Sequence, residues 1–287
     1  MKNSNSLSVL VVLIMLTSPL YSQVEEYDLD SDFTVGISDF LLFLPDYGIS
    51  CPSGCVTDFN SDGMVNTDDF LLFLPAYGQR YSTGTFTDSR DGTTYSWVKI
   101  GDQVWMDENL AYLPAVSTSS DASLSDPVYY VYDYQGTVVP EAKATSNYTT
   151  YGVLYNWPAA TTSCPDGWHL PTDQEWEDLA VFISDDNGGY NNTVEEWDNV
   201  GRHLKATTGW GGGGNGTDDY GFSALPGGLR NSTNFFDRLL FITNFWSATE
   251  SGTTSHAWVR GMNSNYSELY RSEFIMDYGF SVRCIRD

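Results

Sequence analysis

The chain has 287 residues, enough for one large domain and one small one, and carries 38 acidic against 13 basic side chains for a net charge of -25. A field of that sign repels nucleic acid and anionic membrane surfaces and attracts cations. Charged residues are 18% of the chain and aromatics 15%, which describes a folded, loop-rich protein rather than a disordered acidic tail.

The first predicted element is a secretion signal over residues 1–22. Lys2 supplies a positive start, and Leu7 to Leu16 form an apolar run broken only by Ser8. The run falls short of the about 20 apolar residues that span a bilayer. It fits the apolar core of a cleaved signal, with Ser22 before the cut and Gln23 after it; an uncleaved signal anchor is the alternative. No second long apolar run follows. The expectation is a secreted protein, extracellular or at the cell surface, without transmembrane anchoring.

Next comes an internal repeat with an offset of thirty residues, DLDSDFTVGISDFLLFLPDYG from Asp28 and DFNSDGMVNTDDFLLFLPAYG from Asp58, identical at thirteen of twenty-one positions. Between Val24 and Gly78 lie eleven acidic residues and no basic one. In the second copy Asp58, Asn60, Asp62, Met64, Asn66 and Asp69 occupy positions 1, 3, 5, 7, 9 and 12 of a loop, the spacing of oxygen ligands around Ca²⁺. Met64 offers only its backbone carbonyl, as position 7 requires. Gly63 permits the sharp turn at position 6. Val65, at position 8, is apolar in the manner of paired loops whose short strands cross there. The first copy supplies Asp28, Asp30, Asp32, Thr34 and Asp39, but places Phe33 where Gly63 stands in the second. A bulky residue in a left-handed turn costs about 1–2 kcal/mol, so two calcium sites are expected, the second the stronger. Unpaired, these carboxylates repel one another, and metal binding is expected to be coupled to folding. Pro45 and Pro75 are expected to end each following helix early.

Residues 24–78 thus resemble tandem type I dockerin repeats, an all-α, EF-hand-like calcium module, through DxNxDGxVxxxD complete at Asp58 to Asp69. The resemblance implies a cohesin-like partner. Positions 10 and 11 hold Ile37 and Ser38 in one copy and Thr67 and Asp68 in the other, and Cys51 and Cys55 sit between the copies, which departs from the dockerin pattern. A calcium-stiffened spacer is the other role open to the pair.

Four cysteines remain after export, Cys51, Cys55, Cys164 and Cys284, an even number in an oxidising compartment. Three pairings are open. Proximity favours Cys51 with Cys55, which leaves Cys164 and Cys284; zinc is a weak rival because no His lies near the first two. Closing the long loop would restrict the unfolded chain by about 4–5 kcal/mol.

Composition changes at Gln79 to Thr85. Beyond it, Tyr95 to Ile100 and Gln103 to Met106 read as a hairpin around Gly101 and Asp102. Thr172 and Glu175 form a capping box ahead of a helix whose buried stripe is Trp176, Leu179, Ala180 and Ile183. A second helix is expected around Glu195 to Lys205. Short strands are expected at Phe222 to Leu225, Phe245 to Ala248, Ala257 to Arg260 and Phe280 to Ile285.

Several strings in residues 85–287 together resemble the Fibrobacter succinogenes major paralogous domain: TFTDSRDGTTYSWVKIGDQVWMDENLAY from Thr85, YGVLYNW from Tyr151, CPDGWHLPTDQEW from Cys164, NGTDDYGFSALPGGLRN from Asn215, FWSATE from Phe245 and GFSVRC from Gly279. Two of them, WHLPTDQEW and GFSVRC, are also similar to the C-type-lectin-like and formylglycine-generating-enzyme group. That likeness implies an α+β fold with irregular loops, and a disulfide from a helix region to the last strand where Cys164 and Cys284 stand. With both thiols spent on such a bond, the copper-cysteine chemistry of the formylglycine enzymes is not expected.

No HExxH, GxSxG or phosphate-cradling loop occurs, and the Gly211 to Gly216 run lacks the Lys and helix start of a P-loop. Adjacent Glu195 and Glu196, or Asp218 and Asp219, point apart and make no glycosidase pair. Asp173, Glu175 and Glu177 suit a helix start, and His169 reads as structural. Trp210, Asn215, Asp218, Asp219 and Tyr220 surround the glycine loop and are the candidate ligand contacts, with Asp218 and Asp219 bracing a turn or holding a structural calcium as the alternatives. Trp246, Trp258, Tyr266, Tyr270, Arg230 and Arg260 lie in the same half; Trp246 and Trp258 suit a core equally well. The leading expectation is a non-catalytic, calcium-binding surface protein that recognises carbohydrate or protein. A component of a surface assembly docked to a cohesin-like partner is second, and a polysaccharide-active enzyme third.

Overall fold

A computed structural model describes residues 25–52, 54–78, 82–189 and 195–287. The signal segment expected over residues 1–22 lies outside them. Two compact units divide between Tyr81 and Ser82.

In the first unit two short helices, α1 (Ile37–Phe43) and α2 (Thr67–Phe73), each follow an acidic loop. Asn66 caps α2, its side-chain oxygen accepting from the Asp68 amide at 2.8 Å. Both α-helices end before Pro45 and Pro75; a 3₁₀ turn at Leu44–Asp46 continues the first. The repeated FLLFLP string does not bury one continuous apolar face. At about 100° per residue, five apolar neighbours wrap the helix. Phe43 and Phe73 are fully buried, while Leu41, Leu42 and Leu44 and their counterparts Leu71, Leu72 and Leu74 are exposed. Phe43, Phe59 and Phe73 stack with ring centroids 5.9–6.4 Å apart, over buried Val35 and Val65.

The loops also differ from expectation at position 8. Val65 pairs not with Val35 but with the segment after α1: its amide donates to Ile49 at 2.9 Å and its carbonyl accepts from Gly48 at 2.7 Å. Val35 in turn accepts from Gly78, after α2, at 2.7 Å. Each loop is tied to the tail of the other repeat. The Cys51–Cys55 disulfide (Cα–Cα 5.6 Å) fixes that tail beside the second loop, where the Cys51 amide donates to Gly63.

The second unit mixes strands with few helices. In chain order it contains β1 (Thr83–Thr87), β2 (Thr94–Ile100), β3 (Gln103–Met106), β4 (Tyr129–Tyr130), α3 (Val139–Lys143), α4 (Ser146–Tyr151), β5 (Leu154–Tyr155), α5 (Trp157–Ser163), β6 (Trp168–His169) and α6 (Asp173–Asp186). Then follow β7 (Glu196–Trp197), α7 (Val200–Leu204), β8 (Leu229–Arg230), β9 (Phe236–Asp237), β10 (Ile242–Glu250), β11 (His256–Asn263), β12 (Leu269–Ile275) and β13 (Ile285–Arg286). A five-stranded sheet has the order β1-β2-β3-β13-β6 and a four-stranded sheet β10-β11-β12-β7. The hairpin closes with Ile100 opposite Gln103.

Helix α6 starts at the Thr172 cap and its Glu175 box, and Trp176, Leu179, Ala180 and Ile183 are buried. They pack into one core with Trp105, Phe222, Phe245 and Met262, joining the two larger sheets. The Trp176 ring lies 4.7 Å from Trp105 and 5.7 Å from Phe245. A Cys164–Cys284 disulfide (Cα–Cα 5.9 Å) ties the end of α5 to the segment entering β13.

Three expected elements come out shorter. The helix around 195–205 reduces to α7, because Glu196 and Trp197 pair with Tyr270 and Leu269, and Asn199 turns left-handed at φ 61°. Phe222 to Leu225 make only a single bridge, from Ala224 to Lys205. Of Phe280 to Ile285, only Ile285 enters a strand, Phe280 and Ser281 making isolated bridges to Tyr155 and Phe245. At Phe222 to Leu225 the physical reason is Arg283. Its buried guanidinium takes the carbonyls of Met106, Phe222 and Ser223 and the side-chain oxygen of Asn109, replacing strand partners with side-chain bonds. Burial lowers its pKa to about 10.

Candidate functional sites: acidic loops and an aromatic cleft

The two acidic loops repeat one hydrogen-bonding scheme position by position. Asp58 accepts from the amides of Asp62 (3.1 Å) and Gly63 (2.9 Å); Asp28 accepts from Asp32 (3.2 Å) and Phe33 (2.8 Å). Asp69 accepts from Asn60 (3.1 Å) and Asn66 (2.8 Å); Asp39 accepts from Asp30 (3.1 Å) and Gly36 (2.6 Å). Asp39 and Asp69 are fully buried. Amide donors turn the chain around each carboxylate. In the first loop Asp28, Asp30 and Asp32 each place a ligand oxygen within 4.8 Å of the others. The donor set is all oxygen, which suits a hard cation such as Ca²⁺. Phe33 and Gly63 both adopt the left-handed turn, at φ 70° and 87°, so the sequence difference there leaves the backbone path unchanged and puts the steric cost on the first loop.

The residues expected to contact ligand around the glycine run also make bonds within the fold. Trp210 is buried and its indole donates to the Ala224 carbonyl at 2.9 Å. Asn215 accepts from the Trp210 amide at 3.0 Å. Asp218 braces a turn by accepting from the Ser223 amide and hydroxyl, both at 2.7 Å. Asp219 bonds His203 and Thr217, and these bonds, Thr217 first, lower its pKa. The Tyr220 hydroxyl donates to Asp186 at 2.6 Å. Trp246 is fully buried, and Trp258 lies under the Arg271 guanidinium at 3.2 Å. Arg230 and Arg260 are buried too; Arg230 donates to the carbonyls of Ser119, Asp121 and Asp277, and Arg260 pairs with Asp173 at 2.6 Å.

A different surface in the same domain is concave. One face of the β10-β11-β12-β7 sheet, opposite the α6 core, floors a cleft of about 740 Å³ lined by Asn244, Asn263, Tyr266, Glu268, Tyr270 and neighbouring side chains. The floor follows from register. Asn244 lies opposite Gly261, and Gly261 opposite Tyr270. Because Gly261 has no side chain, the Tyr270 ring crosses the middle strand and its hydroxyl donates to the Asn244 side-chain oxygen; a Cβ on Gly261 would fall 2.1 Å from the ring. Burial raises the Tyr270 pKa, so the phenol stays protonated. One wall is the β8-β9 hairpin and the segment after it: Asn231 accepts from Thr233 and Phe235, Asn234 is left-handed in the turn, and Arg238 and Leu240 are left-handed beyond β9.

Residues 98–286 match the Fibrobacter succinogenes major domain. The chain belongs to that family. No curated protein and no solved structure matches it. The family domain takes in the whole cleft and the Cys164–Cys284 bond, while the acidic loops lie outside the matched residues. Within the family domain, GWHLP carries a clamp: His169 bonds Glu175 at 2.8 Å and Asp287 at 2.7 Å through its two ring nitrogens. Burial opposes the imidazolium, but these two carboxylates hold the pKa above its ordinary value. Tyr266 and Tyr270 were legible as aromatics of the right half. Asn244 and Gly261 were not, since only strand register brings them beside Tyr270.

Proposed function

We propose that this is a secreted, non-catalytic binding protein whose N-terminal unit is an EF-hand-like, dockerin-like calcium module and whose family domain, of C-type-lectin-like fold, binds carbohydrate or protein outside the cell. The observation that carries the calcium reading is the duplicated scheme in which Asp28 and Asp58, Asp39 and Asp69 accept the same backbone amides. Asp28, Asp30, Asp32, Thr34 and Asp39 would hold one ion, and Asp58, Asn60, Asp62, Met64, Asn66 and Asp69 the other. Calcium neutralises carboxylates that no basic side chain in the repeats can pair. The lectin-like assignment is supported by the Cys164–Cys284 bond from a helix to the last strand. The non-catalytic reading is supported by the Cys164–Cys284 bond, which leaves no thiol in the family domain for formylglycine-type oxidation.

A second reading, docking into a surface assembly, is favoured by one feature: Leu41, Leu42 and Leu44 and the equivalent Leu71, Leu72 and Leu74 are exposed on both helices. A cohesin-like partner with an apolar patch would cover them.

One experiment tests both. EGTA should lower the melting temperature of the N-terminal transition, by about 2.7 kcal/mol of stability if calcium stood at a hundred times its Kd. Asp58→Ala with Asp69→Ala should remove most of the second-site effect. A melting curve identical with and without calcium would sink the calcium reading, and no capture on an immobilised cohesin-like domain in the presence of calcium would sink the docking one.

A further inference from the structure

We infer that the cleft on the open face of the four-stranded sheet and the smaller cavity next to it form one trough for an uncharged oligosaccharide chain. This inference rests on the reading of the family domain as a ligand-binding domain, and gives it a site and a ligand class.

Shape is the first argument. The cleft of about 740 Å³ and a second cavity of about 480 Å³ share Asp237, Arg238 and Asn263 as lining residues. Two adjoining hollows with a common rim suit a chain of several units better than one compact molecule.

Lining chemistry is the second. Tyr266, 58% exposed, lies in the larger hollow, and Phe241, 48% exposed, in the smaller. Flat rings of this kind take the apolar C–H face of a sugar, while amides reach its hydroxyl edge. Asn244 supplies a specific donor. It is almost fully buried at the cleft floor, its oxygen is taken by Tyr270, and its amide nitrogen has no hydrogen-bond partner. A buried donor left open is one that a ligand hydroxyl can satisfy, and reaching it requires a small displacement of Tyr270.

Charge is the third. Glu196, Asp237 and Glu268 face a single cation, Arg238, in the larger hollow of a chain with net charge -25. That balance repels an anionic glycan. A peptide strand is disfavoured at the floor, where among the described residues both neighbouring edges are taken at the positions that follow. Gly228 and Ser281 bridge the outer side of β10 at Thr243 and Phe245, and β7 covers β12 at Leu269 and Tyr270.

The test is calorimetric titration of the full chain with neutral hexasaccharides of glucose, mannose and xylose, the matching disaccharides, oligogalacturonate and an unstructured peptide. A neutral hexasaccharide should bind tighter than its disaccharide. Tyr266→Ala should weaken the hexasaccharide about tenfold, Tyr266→Phe should preserve binding, and Phe241→Ala should weaken the hexasaccharide but not the disaccharide. Unchanged hexasaccharide binding in Tyr266→Ala, or tighter binding of oligogalacturonate or peptide, overturns the proposal. If the chain captures a protein partner yet none of these sugars, the trough proposal falls and the binding-domain reading stands. If it binds neither sugars nor any protein on an array, both fall.

Discussion

The two units handle buried charge in opposite ways. The N-terminal unit gathers like charges: Asp39 and Asp69 are fully buried in acidic loops, and each accepts backbone amides. The C-terminal unit buries three arginines, Arg230, Arg260 and Arg283, and surrounds each with its own carbonyls or carboxylates. A small aromatic cluster supports the first arrangement. A core shared by two sheets and α6 supports the second. Backbone amides offset only part of the cost of crowded anions. In the proposed calcium-bound state a cation would complete the first unit from outside, whereas the arginines of the second draw their partners from its own sequence. The lesson is that buried charge stabilises a fold only through whatever fills its remaining bonds.

The largest effect that could break this contrast lies at Arg283. Arg283→Ala leaves three carbonyls and the Asn109 oxygen without their donor and opens a cavity. The expected loss in chemical denaturation is about 3–5 kcal/mol, confined to the C-terminal transition and indifferent to EGTA. A loss below about 1 kcal/mol, or one that calcium restores, would dissolve the distinction between the units.

A smaller effect sharpens it. Thr172→Ala removes the hydroxyl that accepts from the Glu175 amide and should cost about 1 kcal/mol in the same transition. Glu175 also bonds His169, so the substitution should alter the pH response of that clamp as well.

The smallest effect is the pH response itself. The folded pKa of His169 lies above its ordinary value, so its contribution is fully present below about pH 6.5 and fades as pH rises through the folded value. The folded pKa of Glu175 is lowered despite burial, by the Thr172 amide and His169, so its contribution is lost only as pH falls. Melting temperatures of the C-terminal transition between pH 6 and 8 should therefore drop slightly with rising pH. His169→Asn should flatten that slope; an unchanged slope would remove the clamp from the account.

Local rules carried far in this sequence. The Thr172 box and the stripe from Trp176 to Ile183 were readable because capping and helical spacing are properties of neighbours along the chain. So was the hairpin around Gly101, and so were helix ends before Pro45 and Pro75. Other elements failed for reasons that lie outside any local window. Glu195 to Lys205 has helical composition, yet Trp197 is drawn into pairing with Leu269. Phe222 to Leu225 has strand composition, yet its carbonyls are claimed by an arginine sixty residues away. The cluster from Trp210 to Tyr220 has the residue types of a binding surface, and only the tertiary structure adds that Ser223, His203 and Asp186 bond its polar atoms.

By itself the sequence determined the family, the α+β character of the large domain, the choice of cysteines for two disulfides, and an acidic repeat whose spacing presets where each carboxylate falls in its loop. Periodicity and spacing are written in one dimension and survive without coordinates. Tertiary structure alone decided that position 8 of each loop pairs with the tail of the other repeat, that the leucines of FLLFLP face outward, and that Asn244, Gly261 and Tyr270 form one floor. Those outcomes depend on register between distant strands and on which acceptors a buried guanidinium reaches, and neither is set by residues adjacent in the chain.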